Sequence, residues 1–273
     1  LVPSNDHNLY AFNRETGARA WTFPAEGGIV GGVTVFDGVA YFGASDHLVY
    51  AVDVATGEPV WEAPFATEDW VWGAPAVDAE RVYVGSMDHH VYAIDRASGA
   101  QVWQQELGGS VPGAVTLADG VLYVGNIDKE LRALRASDGR KVWSAPLGHW
   151  VWGEAAVEGG YVYASSLDGR VHALSVADGS PRWTAIALEG ALRAGPVIQD
   201  GHLIVGTEAG RVYRIDVAAG TATDLTTVTG AVLSKPAVVG NMVYVGTTLG
   251  NVVALNTELG DNPTVWVYPP AAQ

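Results

Sequence analysis

Apolar and polar residues alternate along this chain in short runs, and the runs recur as a set about every 40 residues. Within Trp70 to Leu107, alternation from Trp70 to Val77 predicts a first strand and Arg81 to Ser86 a second. His90 to Asp95 and Gln101 to Glu106 predict a third and a fourth. The first pair is joined at Asp78-Ala79-Glu80, where sister copies carry Asp37-Gly38, Asp119-Gly120 and Asp200-Gly201. Asp-Gly between apolar runs is a hairpin signal, because both central residues of a type I′ turn need positive φ. Tight turns at Met87-Asp88-His89 and Ala97-Ser98-Gly99 join the rest. Four short antiparallel strands in about 40 residues make one blade of a β-propeller. A parallel β-helix fits less well, since its coils are shorter and lack paired hairpin turns.

A phrase rides on this pattern: Asp-x-x-aliphatic-Tyr-Ala-aliphatic-x-x-x-Thr/Ser-Gly-x-x-x-Trp. It starts at Asp6, Asp46, Asp88, Asp128 and Asp168, then in worn form at Ala209 and Leu249. The start-to-start spacings are 40, 42, 40, 40, 41 and 40 residues. The hairpin of strands three and four occurs seven times, that of strands one and two six times, beginning near Gly28, Trp70, Ser110, Trp150, Ala191 and Ala231. The expectation is a single all-β domain over residues 1–273: a seven-bladed propeller whose N-terminal blade lacks its inner strand. An eight-bladed parent is the alternative. Leu1 to Asn5 align with the end of a second strand, so the chain reads as a piece of a longer protein.

Ala51, Gly57 and Trp61 illustrate the logic of the phrase: small, small and large. An outer-strand Trp can lie over a neighbouring blade only where bulk is absent there, and its indole N–H can bond a backbone carbonyl. Trp21, Trp61, Trp103, Trp143 and Trp183 are the expected docking residues, and Asp224 stands where the sixth belongs. In this Ala…Thr-Gly-x-x-x-Trp motif the chain resembles the PQQ-like propeller repeats over nearly its whole length. That family includes quinoprotein alcohol dehydrogenases, a propeller lipoprotein of outer-membrane barrel assembly, and propellers attached to bacterial receptor kinases. The resemblance implies the fold; every member carries the motif for structural reasons, so it does not select a function.

Function is sought where the copies disagree. One inner-strand column is uniformly aliphatic: Ile29, Val71, Val111, Val151, Leu192 and Val232. The next position on that face is small: Gly31, Gly73, Gly113, Gly153, Ala194 and Ser234. On the other face the copies diverge, placing Trp70 and Trp72 in one unit, Trp150 and Trp152 in another, with Glu154, Arg193 and Lys235 on the same row. Aromatic walls with a few charges at a propeller funnel suit a planar anionic ligand or a peptide. The alternative is that the indoles pack and the charges pair with each other. Lys129, Arg132, Arg135, Arg140 and Lys141 crowd one outer hairpin, either as a solvated edge or as a docking patch for an acidic partner.

Composition narrows the classes. Fifteen bases against thirty acids give a net charge of -15, which speaks against nucleic-acid binding and anionic membranes. No apolar run approaches the ~18 residues of a membrane span. With no cysteine, thiolate and disulfide chemistry are excluded. His7, His47 and His89 share one turn column, but such turns are expected too far apart to share a metal, and no metal site is expected. A quinoprotein dehydrogenase would, by the resemblance, bring an adjacent Cys-Cys pair, inserted loops and calcium ligands, none of which the sequence carries. The reading is therefore a non-catalytic module, and the resemblance implies a place outside the cytoplasm, periplasmic or extracellular. It is either a protein-interaction scaffold or a ligand-sensing domain. Pyrroloquinoline quinone is the one cofactor the resemblance leaves open, as ligand of a receptor Ser/Thr kinase sensor or of a PQQ-dependent dehydrogenase.

Overall fold

The structure, a computed structural model, describes residues 1–260 and 263–269. Its strands form seven antiparallel sheets, each built from consecutive strands. The first sheet has three: Val2–Pro3, Asn8–Phe12 and Arg19–Pro24. The other six have four each, as in the third sheet, with Ala76–Val77, Arg81–Gly85, His90–Asp95 and Gln101–Glu106. The fold is an all-β propeller of seven blades, the first without an inner strand.

Backbone contacts divide the chain into two compact units, one of Leu1–Asp128 with Arg132–Val142, the other of Lys129–Leu131 with the chain from Trp143 onward. In the first, the cores lie between sheets. Tyr41, Val49 and Trp61 of the second sheet pack with Val82, Val84 and Ile94 of the third. In the second unit, Tyr163 and Val171 of the fifth sheet pack with Leu203, Val205 and Ile215 of the sixth. Both faces of each central strand are thus covered, which is why they read Val-Tyr-Val-Gly rather than apolar-in, polar-out.

The Asp-Gly hairpins have the expected backbone: Asp37 and Gly38 at φ 51° and 76°, Asp119 and Gly120 at 47° and 74°, Asp200 and Gly201 at 47° and 73°. The first strands differ from expectation. Trp70 to Val77 was to be one strand, yet only Ala76–Val77 pairs with the strand beside it. The preceding stretch spends its backbone groups elsewhere: Val71 N–H donates to Ala44 O of the previous sheet (3.2 Å), and Trp70 O accepts from Met87 N–H (2.8 Å). The aliphatic column is buried throughout, from Ile29 and Val71 to Leu192 and Val232. The glycines beside it serve close backbone approach. A Cβ on Gly31 would come within 2.1 Å of Trp72 O, and one on Gly73 within 2.2 Å of Gly113 O.

The fourth strand is intact in the third sheet but broken in the second and fifth. There Phe65–Ala66 and Ile186–Ala187 are all that pair, apart from single bridges at Val52↔Pro59 and Leu174↔Pro181. A proline supplies no N–H to a ladder. The copies starting at Asp46 and Asp168 are also the two longer ones, of 42 and 41 residues. Their extra residues loop out of this strand: Val49 pairs with Phe65, four residues beyond Trp61, whereas Val91 pairs with Gln105, two beyond Trp103.

The repeat Asp is a structural knot. Asp46 Oδ2 accepts from Tyr50 Oη (2.8 Å) and from Gly27 N–H in the preceding connection (2.8 Å), while Oδ1 accepts from Leu48 N–H (3.0 Å). Asp88 repeats this with Tyr92, Glu68 and His90. Burial first, then the hydrogen bond to the carboxylate, pushes the Tyr50 and Tyr92 hydroxyls well above their ordinary range. In the position after the repeat Asp, or after Ala209 and Leu249 in the worn copies, His7, His47, His89 and Lys129 sit at φ 68–76°, and Gly169, Gly210 and Gly250 at 76–80°. That column is set by a left-handed turn, a demand that His and Lys meet at some strain.

Candidate functional site

The docking tryptophans make one contact five times. Trp21, Trp61 and Trp103 donate Nε1–H to the carbonyls of Val54, Arg96 and Ala136 at 3.0 Å, each in the following repeat. Trp143 reaches Val176 O at 2.9 Å and Trp183 reaches Val217 O at 3.3 Å. The rings lie on the glycine of the next repeat's turn, where a Cβ on Gly57, Gly99, Gly139, Gly179 or Gly220 would meet the indole at 2.7–2.9 Å. In the sixth sheet the strand bulges. Arg214 pairs with Thr223, so Asp224 falls one place away from the docking position, opposite Tyr213, and forms an ion pair with Arg211. In the seventh, Trp266 stands opposite Ala254, in the docking position that the sequence spacing had concealed; it is 43% exposed.

The divergent tryptophans behave differently. In the first unit, Trp70 and Trp72 project from the unpaired stretch before Ala76–Val77 and stack on each other, with centroids 5.1 Å apart and planes at 26°. Val71 between them is fully buried, so alternation holds even though the ladder does not. Trp72 is half-buried, whereas Trp70 is 41% exposed and offers its outer face to solvent. In the second unit Trp150 is 40% exposed beside His149, whose Nδ1 accepts from Trp150 N–H (2.9 Å). Trp152 is half-buried, with the Arg193 guanidinium 5.3 Å above its ring.

The charged row of the second unit resolves into pairs. Lys235 Nζ lies 2.9 Å from Glu154 Oε2, and Arg193 Nε bonds Glu208 Oε1. Two cations and two carboxylates leave this cluster with no net charge for an anion. Glu208 escaped sequence reasoning because it follows the second strand of its repeat, and only tertiary folding brings it to Arg193.

The basic hairpin is likewise partly compensated. Arg135 and Arg140 both reach Asp138 Oδ2, at 2.9 and 3.6 Å. Arg132 is half-buried, Lys141 is exposed, and exposed Lys129 takes a turn φ of 68°. His90 Nδ1 lies 3.4 Å from Asp88 Oδ1, and His172 Nε2 lies 3.1 Å from Ser166 Oγ. Burial holds the His172 imidazole below its ordinary pKa. Among the described residues no three His, Asp or Glu side chains converge as a metal site.

Seven sheets of consecutive antiparallel strands, five of them sealed by an indole lying on a glycine, define a tryptophan-docked β-propeller. The family model described as outer membrane protein assembly factor BamB matches residues 5–106, 45–188 and 167–271, and the chain belongs to that family. No curated protein sequence matches it. Among solved structures it resembles BamB from Moraxella catarrhalis at 20% identity and a TM-score of 0.78, over 98% of this chain and 86% of that one. It also resembles the computationally designed Ika8 protein at 16% identity and a TM-score of 0.83, over 97% and 82% of the two chains. At these identities the likeness is one of fold.

Proposed function

We propose that this chain is a non-catalytic propeller module that docks another protein, acting outside the cytoplasm as part of an assembly scaffold. The observation that carries the reading is the Trp70–Trp72 stack, which leaves one large indole face open while an aliphatic neighbour between the two rings is buried. Solvent-facing tryptophan is what interfaces spend their binding energy on. The family description, an assembly factor for outer membrane proteins, supports a protein partner and an extracytoplasmic setting. A photoreactive phenylalanine analogue at position 70, compared with one at the exposed outer-strand position Val142, tests this in the source cells. A discrete adduct from position 70 alone is expected. The same adducts from both positions, or none from position 70, would refute it.

One observation favours a second reading, a sensor for pyrroloquinoline quinone: the Arg193 guanidinium over Trp152 resembles half of a stacking site for a planar anion. The pairing of Arg193 and Lys235 with Glu208 and Glu154 weighs against it. Saturable quenching of tryptophan fluorescence by the quinone, with and without calcium, would promote this reading.

A further inference from the structure

The break in the fourth strand of the second sheet opens a cavity of about 270 Å³, lined among others by Phe23, Tyr50, Trp61, Glu26 and Glu62. Two features of its chemistry point to a ligand. Its walls are aromatic and aliphatic, and its two charged groups are both carboxylates on exposed residues. Neither Glu26 nor Glu62 has a cationic partner among the described residues. Glu26 is nonetheless held in place, because its backbone N–H donates to Tyr50 Oη (3.3 Å) and the next residue, Gly27, is tied to Asp46. Aromatic faces beside uncompensated carboxylates favour a cation on an apolar stem. The backbone supplies a third feature. The strand Leu48–Asp53 is paired on this side at Leu48 and Val49 and bridged at Val52, and Ala51 O accepts from Val60 N–H (2.8 Å), so the interruption lies in the fourth strand, where the residues between Val60 and Phe65 loop out of the ladder. Backbone looped out of its own ladder can receive an extended segment.

The fifth sheet provides an internal comparison. Its fourth strand is broken in the same way at Pro181, and a cavity of about 530 Å³ opens at the equivalent place. There Ala145 replaces Phe23, His172 replaces Tyr50, Thr184 replaces Glu62, and Gly148 stands where Glu26 would be. The fifth-sheet cavity keeps the docking Trp183 but has no carboxylate, so the Phe23 and Tyr50 walls and the two carboxylates belong to the second-sheet groove rather than to the break itself.

We propose that the second-sheet groove binds an arginine or lysine side chain presented by an extended segment of a partner protein. The aliphatic stem lies against Phe23, Tyr50 and Trp61, and the charged head meets Glu26 and Glu62. The net charge of -15 adds long-range attraction for such a segment. This deepens the docking reading given above by naming a partner chemistry, at a place separate from Trp70.

The probe is a fluorescein-labelled heptapeptide of alternating threonine and valine with one central arginine, read by anisotropy and compared with the same peptide carrying central glutamate. Saturable binding of the arginine peptide, at least tenfold tighter than the glutamate peptide and weakened tenfold or more in a Glu26→Gln/Glu62→Gln variant, is expected. That variant alters exposed carboxylates, and an unchanged urea midpoint establishes that it folds. Equal binding of the two peptides, binding unchanged in the variant, or no saturation overturns the proposal. Competition by ethylguanidinium as effective as by the peptide would replace the protein segment with a small organic cation, and so overturns it too. A Trp70→Ala variant keeps the two readings apart: peptide binding is expected to survive it, so loss of the position-70 adduct and loss of peptide binding report on different surfaces.

Discussion

Removing a docking indole should unfold the propeller far more readily than removing an exposed one, and Trp143 and Trp150 make a matched pair in the same unit. Trp143 is 7% exposed, donates to Val176 O at 2.9 Å and covers Gly179 so closely that a Cβ there would sit 2.8 Å from the ring. Truncating a buried aromatic to alanine costs about 3–5 kcal/mol through lost transfer energy and the cavity left behind. The Val176 carbonyl also loses a donor, a loss of about 1 kcal/mol. Trp143→Ala should therefore cost about 4–6 kcal/mol. Trp150 is 40% exposed and its nearest ring is that of His149 at 5.9 Å, so Trp150→Ala forfeits little more than an edge contact of about 0.5–1.5 kcal/mol. Trp143→Phe separates the two contributions, since it keeps most of the area and loses the hydrogen bond. The assay is urea unfolding of the three variants beside the parent, comparing midpoints at equal m-value. A fall in m for Trp143→Ala would show one unit unfolding before the other, itself informative for an array of repeats. Equal losses for Trp143→Ala and Trp150→Ala would refute the division of the tryptophans into docking and surface sets.

Two further outcomes are expected. Tyr83 donates to Asp78 Oδ2 at 2.8 Å, and burial first, then that bond, pushes its hydroxyl up to about 12; Tyr50 and Tyr92 move the same way. A raised folded-state pKa means that the stabilisation is fully present below pH ~10, the ordinary tyrosine value, and is lost as pH rises through about 12. Tyrosinate absorbance and near-UV circular dichroism should therefore change together in that window, and tyrosines that ionise near pH 10 with the fold intact would sink the assignment. Backbone amide exchange should be fastest in the first sheet, where Val2–Pro3 is the whole edge and no inner strand covers it, and slower in the complete third sheet. Equal protection of the two sheets would contradict this.

Much of the fold was legible in the sequence because it is local and repeated. Alternation set the second and third strands of the third sheet to within a residue, Asp-Gly set the hairpins, and a period of about 40 residues set the number of blades. Even the two irregular spacings, 42 and 41, carried information: they mark the blades whose fourth strands loop out. What the sequence could not decide is where a backbone or side chain finds its partner across the fold. Trp70 to Pro75 alternates like a strand, yet its backbone groups bond outside any ladder, Val71 N–H to Ala44 O and Trp70 O to Met87 N–H, while Gly73 lies against the next backbone. Arg193 and Lys235 look like free cations in a column of divergent residues. Glu154, on the same row, left open that the charges pair with each other; folding sets it on Lys235, 81 residues away, and brings in Glu208, 15 residues from Arg193, which the linear pattern did not show. The aromatic cavity with Glu26 and Glu62 is equally invisible in the linear pattern, since its walls come from two consecutive sheets and its opening from a proline. Hydrophobic period is a property of neighbours along the chain. Charge compensation and cavities are properties of neighbours in space, and the three-dimensional fold alone assigns them.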